Sequence, residues 1–168
     1  MTAHGAPQIR LLADHPALIP AVGLLRWHEW GEGAVWDHDP GRAELAWWVG
    51  VTARESGRAG LPVTFVAIDG AGAAIGAVGL GEFDPEERRD RSPWVLGMIV
   101  QPELQGCGIG RLLLDALGTW AGEHGYQRLW VATGDPAVGF YQACGWILTE
   151  TFDRPVETVN VLTAGTGS

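Results

Sequence analysis

Residues 94–122, WVLGMIVQPELQGCGIGRLLLDALGTWAG, read as a strand, a glycine-rich turn and a helix. The opening WVLGMIV is a nearly continuous apolar run, as expected of a strand buried on both faces. Gly106, Gly108 and Gly110 alternate just after it. Leu112, Leu113, Ala116, Leu117, Trp120 and Ala121 then recur at helical spacing. Gly125 stops that helix just after His124. Glycines let a backbone take φ > 0 and approach a ligand closely. A helix N-terminus adds unpaired N–H groups and a partial positive charge. Together they make an anion site that suits a pyrophosphate, and Arg111 adds a formal cation beside it. A dinucleotide turn of the G-x-G-x-x-G type needs another spacing, and a Walker loop needs a lysine that this chain lacks. A glycine turn with no ligand is the remaining alternative.

Outward from that unit, the pattern alternates strands and helices. Residues 61–68, LPVTFVAI, are β-branched and apolar and end in Asp69-Gly70-Ala71-Gly72, a hairpin signal. Residues 73–83 form its second strand, and 84–93, DPEERRDRSP, a charged loop. Residues 128–133 are the next strand. Asp135-Pro136 reads as an N-cap followed by proline at the first helical position, and the helix ends at Gly145. Two final strands over 146–152 and 156–162 precede a frayed AGTGS tail. The first 60 residues read as two helices, 15–30 and 42–55, flanking the loop-like stretch WGEGAVWDHDPG. The expectation is an α/β domain spanning 1–168, with a mixed, mostly antiparallel central sheet flanked by helices.

Bulk composition narrows the function. A net charge of −9 argues against a nucleic-acid backbone as partner, since phosphate binding needs clustered cations. It is compatible with a cationic acceptor, and equally with plain solubility. All 11 basic residues are arginine, so the chain carries no lysine amine. The start, MTAHGAPQIR, lacks an apolar signal core, and no stretch approaches about 18 apolar residues. A cytoplasmic protein with no membrane partner is expected. Cys107 and Cys144 are expected to be free thiols, with no Cys/His spacing suited to a metal.

Two ordered motifs carry a family resemblance. Gln105, Gly108 and Gly110 match Q/R-x-x-G-x-G/A, the acetyl-CoA signature of the GNAT superfamily of N-acetyltransferases. Downstream, AVGFYQACGW (137–146) resembles that family's A-x-x-F-Y-x-x-x-G-F/W segment. The resemblance covers residues 61–160 well, as a cofactor-binding core, and residues 1–60 in outline, as the acceptor side. It implies that acetyl-CoA is the donor. Its pantetheine arm would lie along Met98, Ile99 and Val100, with a backbone N–H there polarising the thioester carbonyl. Gln105, Gly106, Cys107, Gly108, Ile109, Gly110 and Arg111 would cradle the pyrophosphate, and Asp135 and Phe140 would line the far side of the arm. Tyr141 matches the family's frequent general acid. A phenol with pKa near 10 is neutral at pH 7 and can protonate a departing thiolate.

Two departures from the pattern matter. Several relatives carry a Glu or His base on the strand before the turn, whereas WVLGMIV has nothing titratable. Glu82, Asp84, His28, Glu29 and a water relay are the alternatives. Cys107 stands where many members have Arg or Lys. It lies at the pyrophosphate end, away from the thioester, which argues against a nucleophilic role. Cys144 reads as a small core residue.

Five of the nine tryptophans, Trp27, Trp30, Trp36, Trp47 and Trp48, fall before residue 50. With Glu29, Glu32, Asp37 and Asp39 they could form an aromatic, acidic acceptor pocket. They could equally be the apolar faces of two helices. The leading functional expectation is transfer of an acetyl group to a primary amine of a small molecule, with a homodimer compatible. A protein N-terminal or lysine acetyltransferase and a catalytically silent acyl-CoA-binding module stay open.

Overall fold

The computed structural model describes residues 6–33 and 39–166. One seven-stranded sheet organises them. Its strands are β1 (Gln8–Leu11), β2 (Val63–Ile68), β3 (Ala74–Gly81), β4 (Trp94–Val100), β5 (Arg128–Thr133), β6 (Ile147–Arg154) and β7 (Glu157–Gly165), in the order β1-β2-β3-β4-β5-β7-β6. Every neighbouring pair is antiparallel except β4 and β5. Those two are parallel because α3 (Ile109–Glu123) carries the chain back between them.

Side chains alternate across the sheet and feed two cores. Val63 and Ala67 of β2 pack with Val78 of β3 under Leu113 and Leu117 of α3. Val66 and Ile68 face the other way, against Val22 of α1 (Ile19–Arg26). Leu113 and Leu117 are fully buried, so truncating either to alanine costs about 2–5 kcal/mol. α4 (Asp135–Ala143) closes the α3 face, with Tyr141 and Trp146 in the core. α2 (Leu45–Arg54) lies against α1.

The loop between β3 and β4 is anchored by ion pairs. Arg88 Nε and Nη2 both donate to Glu150 at 2.8 Å, and Arg154 Nε and Nη2 donate to Glu87 at 2.9 and 3.0 Å. Exposed pairs are weak singly, but these two forks join the loop to the β6–β7 hairpin. Asp84 enters the site described below from that anchored loop.

Several expectations need correction. β1 was not expected; its four residues alternate in exposure at the sheet edge, too short a run to give a periodic signal. The segment 15–30 is not one helix. A 3₁₀ turn (Pro16–Leu18) leads into α1, and a π turn (Trp27–Gly31) follows it. The segment 42–55 is also divided: Glu44, extended at φ −94° and ψ 135°, separates a 3₁₀ turn (Pro40–Ala43) from α2. Gly134, not Asp135, caps α4. The Asp135 carboxylate instead accepts from Asn160 Nδ2 at 2.8 Å. The tail is held to Thr166, whose hydroxyl donates to Tyr126 O at 2.5 Å, because β7 runs on to Gly165. β4 is only half-buried at Leu96, Gly97 and Met98, since β5 diverges from it there. Among the described residues no helix is long and apolar enough to cross a membrane.

Candidate active site

The sheet opens between β4 and β5. Their only registered pair is Trp94 with Trp130, and Trp130 N donates to Pro93 O at 3.1 Å. Beyond that point the strands separate. On its other edge β4 carries a bulge. Gly79 pairs with Leu96 and Ala77 with Ile99, so Gly97 and Met98 together oppose Val78. Gly97 sits at φ +52°, in the left-handed region that a side chain disfavours. Bulge and divergence together turn the β4 backbone toward the gap.

Two cavities meet across this opening. The first, of about 670 Å³, is lined by Met98, Ile99, Val100, Gln105, Gly106, Gly108, Ile109, Gly110, Arg111, Phe140 and Tyr141. Eleven of the thirteen residues expected around the donor therefore surround one space. Among the described residues Cys107 and Asp135 line neither cavity; Cys107 is exposed on the turn, and Asp135 faces Asn160. Gly106 and Gly108 take φ +82° and +87°, and no side chain caps α3, so its first N–H groups face the turn without a protein cap. Gln105 Nε2 donates to Val100 O at 3.2 Å and joins the turn to the end of β4.

The second cavity, of about 520 Å³, lies beyond the bulge. Trp30, Trp47 and Trp48 form one wall. Its charged lining is Glu55, Asp84 and Glu157 with Arg26, Arg42 and Arg154. Trp30, Met98, Thr133 and Tyr141 line both cavities and form the passage between them.

The tryptophans combine both expected roles. Trp27 Nε1 donates to Ala43 O at 2.8 Å and Trp48 Nε1 to Arg42 O at 2.7 Å, so the first indole ties the end of α1 to the turn before α2 and the second ties α2 to that same turn. Trp48 also contributes its ring to the cavity, 4.9 Å from Trp47 and 5.9 Å from Trp30 between centroids. Trp36 and Asp37 lie outside the described residues.

The candidate bases separate clearly. Asp84 lines the second cavity, whereas Glu29 lines the first. Glu82 and His28 line neither, and His28 shares a 2.6 Å hydrogen bond with Glu32. Glu32 and Asp39 are likewise absent from both linings. Asp84 is exposed by surface area, but its side chain opens into the cavity. Desolvation by the surrounding protein raises its pKa to about 6, against the attraction of Arg154 and with help from Glu55. Burial also pushes the Tyr141 phenol above its ordinary value of 10, with smaller contributions from Cys144 and Asp84. Arg154 sits between carboxylates, and its hydrogen bonds hold Glu87 down to about 2.

Arg26, Glu55, Arg154 and Glu157 were not anticipated. They come from α1, the end of α2, β6 and β7, and no local spacing announces their convergence. The partial signal was Arg26, an arginine in the apolar helix IPAVGLLR.

Residues 21–146 match the acetyltransferase (GNAT) family. No curated protein is similar enough in sequence to count as a relative. Solved structures share the whole fold at low identity. An acetyltransferase of that family from Desulfovibrio desulfuricans is 17% identical, covers 96% of this chain and 100% of its own, and has a TM-score of 0.69. An aminoglycoside 6'-N-acetyltransferase complexed with coenzyme A is 11% identical, with 96% and 98% coverage and a TM-score of 0.73. A spermidine N-acetyltransferase mutant from Vibrio cholerae is 18% identical, with 96% and 94% coverage and a TM-score of 0.70.

Proposed function

The chain belongs to the acetyltransferase (GNAT) family, and from that premise we propose that it transfers the acetyl group of acetyl-CoA to a primary amine of a small molecule in the cytoplasm. The observation that carries this reading is the meeting of two cavities at Tyr141, across the opening between β4 and β5. The first suits the donor. Gly106 and Gly108 bend the turn so that backbone N–H groups at the head of α3 face an anion, and Arg111 stands beside them. Met98 to Val100 present backbone to the pantetheine arm. The second suits the acceptor. At about 520 Å³ it falls in the range of small-ligand sites, roughly 300–1,000 Å³. Its tryptophan wall favours an amine carrying positive charge; Glu55 and Glu157 are paired with Arg26 and Arg154, which leaves Asp84 as the carboxylate to meet the ammonium.

The chemistry follows from three groups. An alkylammonium must lose a proton before it attacks. Asp84, with its pKa near 6, is largely ionised at pH 7 and takes that proton directly or through one water. As the N–C bond forms, a bulge N–H donates to the thioester oxygen, where negative charge develops. As the C–S bond breaks, Tyr141 delivers its proton to the leaving sulfur, and the second proton shed by the acylated nitrogen restores the phenol. Its raised pKa keeps the phenol protonated for that step. Spermidine and aminoglycosides, the amines in the names of two structural neighbours, make apt first probes.

The test is thiol release from acetyl-CoA with a panel of polyamines, aminoglycosides, simple alkylamines and lysine- or N-terminus-presenting peptides. At least one small amine should be turned over faster than every peptide. Turnover of peptides alone would move the acceptor class to proteins. Binding of acetyl-CoA without any turnover would leave a silent acyl-CoA-binding module.

A further inference from the structure

We propose that Arg26, at the end of α1, is a positioning residue that holds the β4 bulge in its working conformation. The inference rests on the reading of the bulge as the thioester site. Arg26 is 1% exposed, yet its guanidinium donates to three residues, on β4, on α2 and just past α2. Nε donates to Gly97 O at 3.2 Å. Nη1 donates to Thr52 Oγ1 of α2 at 3.0 Å and to Glu55 Oε1, just past α2, at 3.3 Å. Nη2 has no hydrogen-bond partner among the described residues. It lies over Gly97 instead: a Cβ at that position would come within 2.8 Å of Cζ, Nε and Nη2 together. The guanidinium therefore packs flat on the Gly97 α-carbon, the residue whose φ of +52° makes the bulge.

A glycine takes such a φ at little cost and leaves it as readily, so neighbouring groups must hold the bulge in one conformation. The β3 pairs on either side fix its ends, and the one side chain that bonds the bulge itself is Arg26. The bulge carbonyl accepts its hydrogen bond, the missing Cβ makes room for it, and α2 fixes its far end. Burial lowers the Arg26 pKa and raises that of Glu55, so the pair is held against the preference of both charges for water. An apolar replacement for a buried ion pair is often neutral or stabilising. Stability therefore does not account for a charge pair at this place. Aiming a backbone N–H does, because small displacements of a catalytic donor are expensive in rate.

Two variants test this. Arg26→Lys keeps the charge but can neither fork nor lie flat. Arg26→Met combined with Glu55→Gln strands no charge, so it should fold even if Arg26→Met alone does not; melting by circular dichroism verifies that. With the best amine from the panel, turnover at saturating substrates should fall by about 10²-fold in both variants. The CoA dissociation constant, which reads the turn and not the bulge, should stay within about twofold of wild type. Wild-type turnover in either folded variant overturns the proposal. If wild type turns over no amine, the acetyltransferase reading fails, and the proposal is then judged on the ratio of acetyl-CoA to CoA affinity. That ratio should exceed one in wild type and fall toward one in both variants. A ratio of one in wild type, or one unchanged by the substitutions, overturns it.

Discussion

Replacing Tyr141 by phenylalanine removes one oxygen from the passage between the two cavities. The ring is 3% exposed and lies edge-on to Phe140 and Trp146, with centroids 5.1 and 5.4 Å away. Phenylalanine keeps both contacts, so the fold and the wall of the donor cavity should be unchanged. Acetyl-CoA affinity, read by calorimetry, should stay within about twofold. Turnover is different. A general acid contributes about 10²–10⁴-fold, equivalent to about 3–5 kcal/mol of barrier. The loss should appear in turnover at saturating substrates, because the proton moves in the transition state. The structure also shapes the pH dependence. Burial raises the phenol above its ordinary value, so Tyr141 stays protonated through pH 9. The ratio of wild-type to variant turnover should accordingly be flat from pH 7 to about 9, with no alkaline limb from Tyr141 in that window. Initial rates of thiol release measure it. Turnover within twofold of wild type would refute the acid role and return Tyr141 to packing. Weaker acetyl-CoA binding with unchanged turnover would make it a binding residue.

Asp84→Asn should remove an acidic limb near pH 6 from the profile of kcat/KM. It should also raise the melting temperature above pH 6 but not below about pH 4. Between those values folded Asp84 binds more protons than the unfolded chain, so its ionisation destabilises the fold as pH rises, and asparagine lacks that penalty. Gly108→Asp should abolish acetyl-CoA binding in calorimetry, since φ +87° disfavours any side chain and the new carboxylate would meet the pyrophosphate. Cys107→Ser should leave turnover at saturating donor unchanged, because the thiol is exposed and outside both cavities; a hundredfold loss would reopen a covalent mechanism.

The lining of the first cavity was legible because most of it is contiguous. Gln105 to Arg111 form one turn between a strand and a helix, and Phe140-Tyr141 one face of a short helix, so local spacing places them. The β5 boundaries also read directly, since Arg128–Thr133 has an apolar centre, Leu129 to Ala132, and ends before Gly134, the cap of α4. The lining of the second cavity was not legible. Arg26, Glu55, Asp84, Arg154 and Glu157 lie up to 131 positions apart and are gathered only by packing. The β4 bulge shows the same limit. Gly97 is visible as a glycine in an apolar run, but its turn toward the gap depends on β3 pairing, on β5 diverging and on the guanidinium above it. The Asp135-Pro136 pair looked like a cap because its own spacing permits one; Asn160, from β7, draws that carboxylate elsewhere.

The most direct measurement is a crystal structure with acetyl-CoA bound. The pyrophosphate should lie on the N–H groups of residues 106–111, and the pantetheine arm in the opening between β4 and β5. The thioester oxygen should face the bulge at Met98, with Tyr141 Oη either within about 3–4 Å of the sulfur or joined to it by one water. Acetyl-CoA bound outside that opening, or a thioester turned away from both the bulge and Tyr141, would contradict the account.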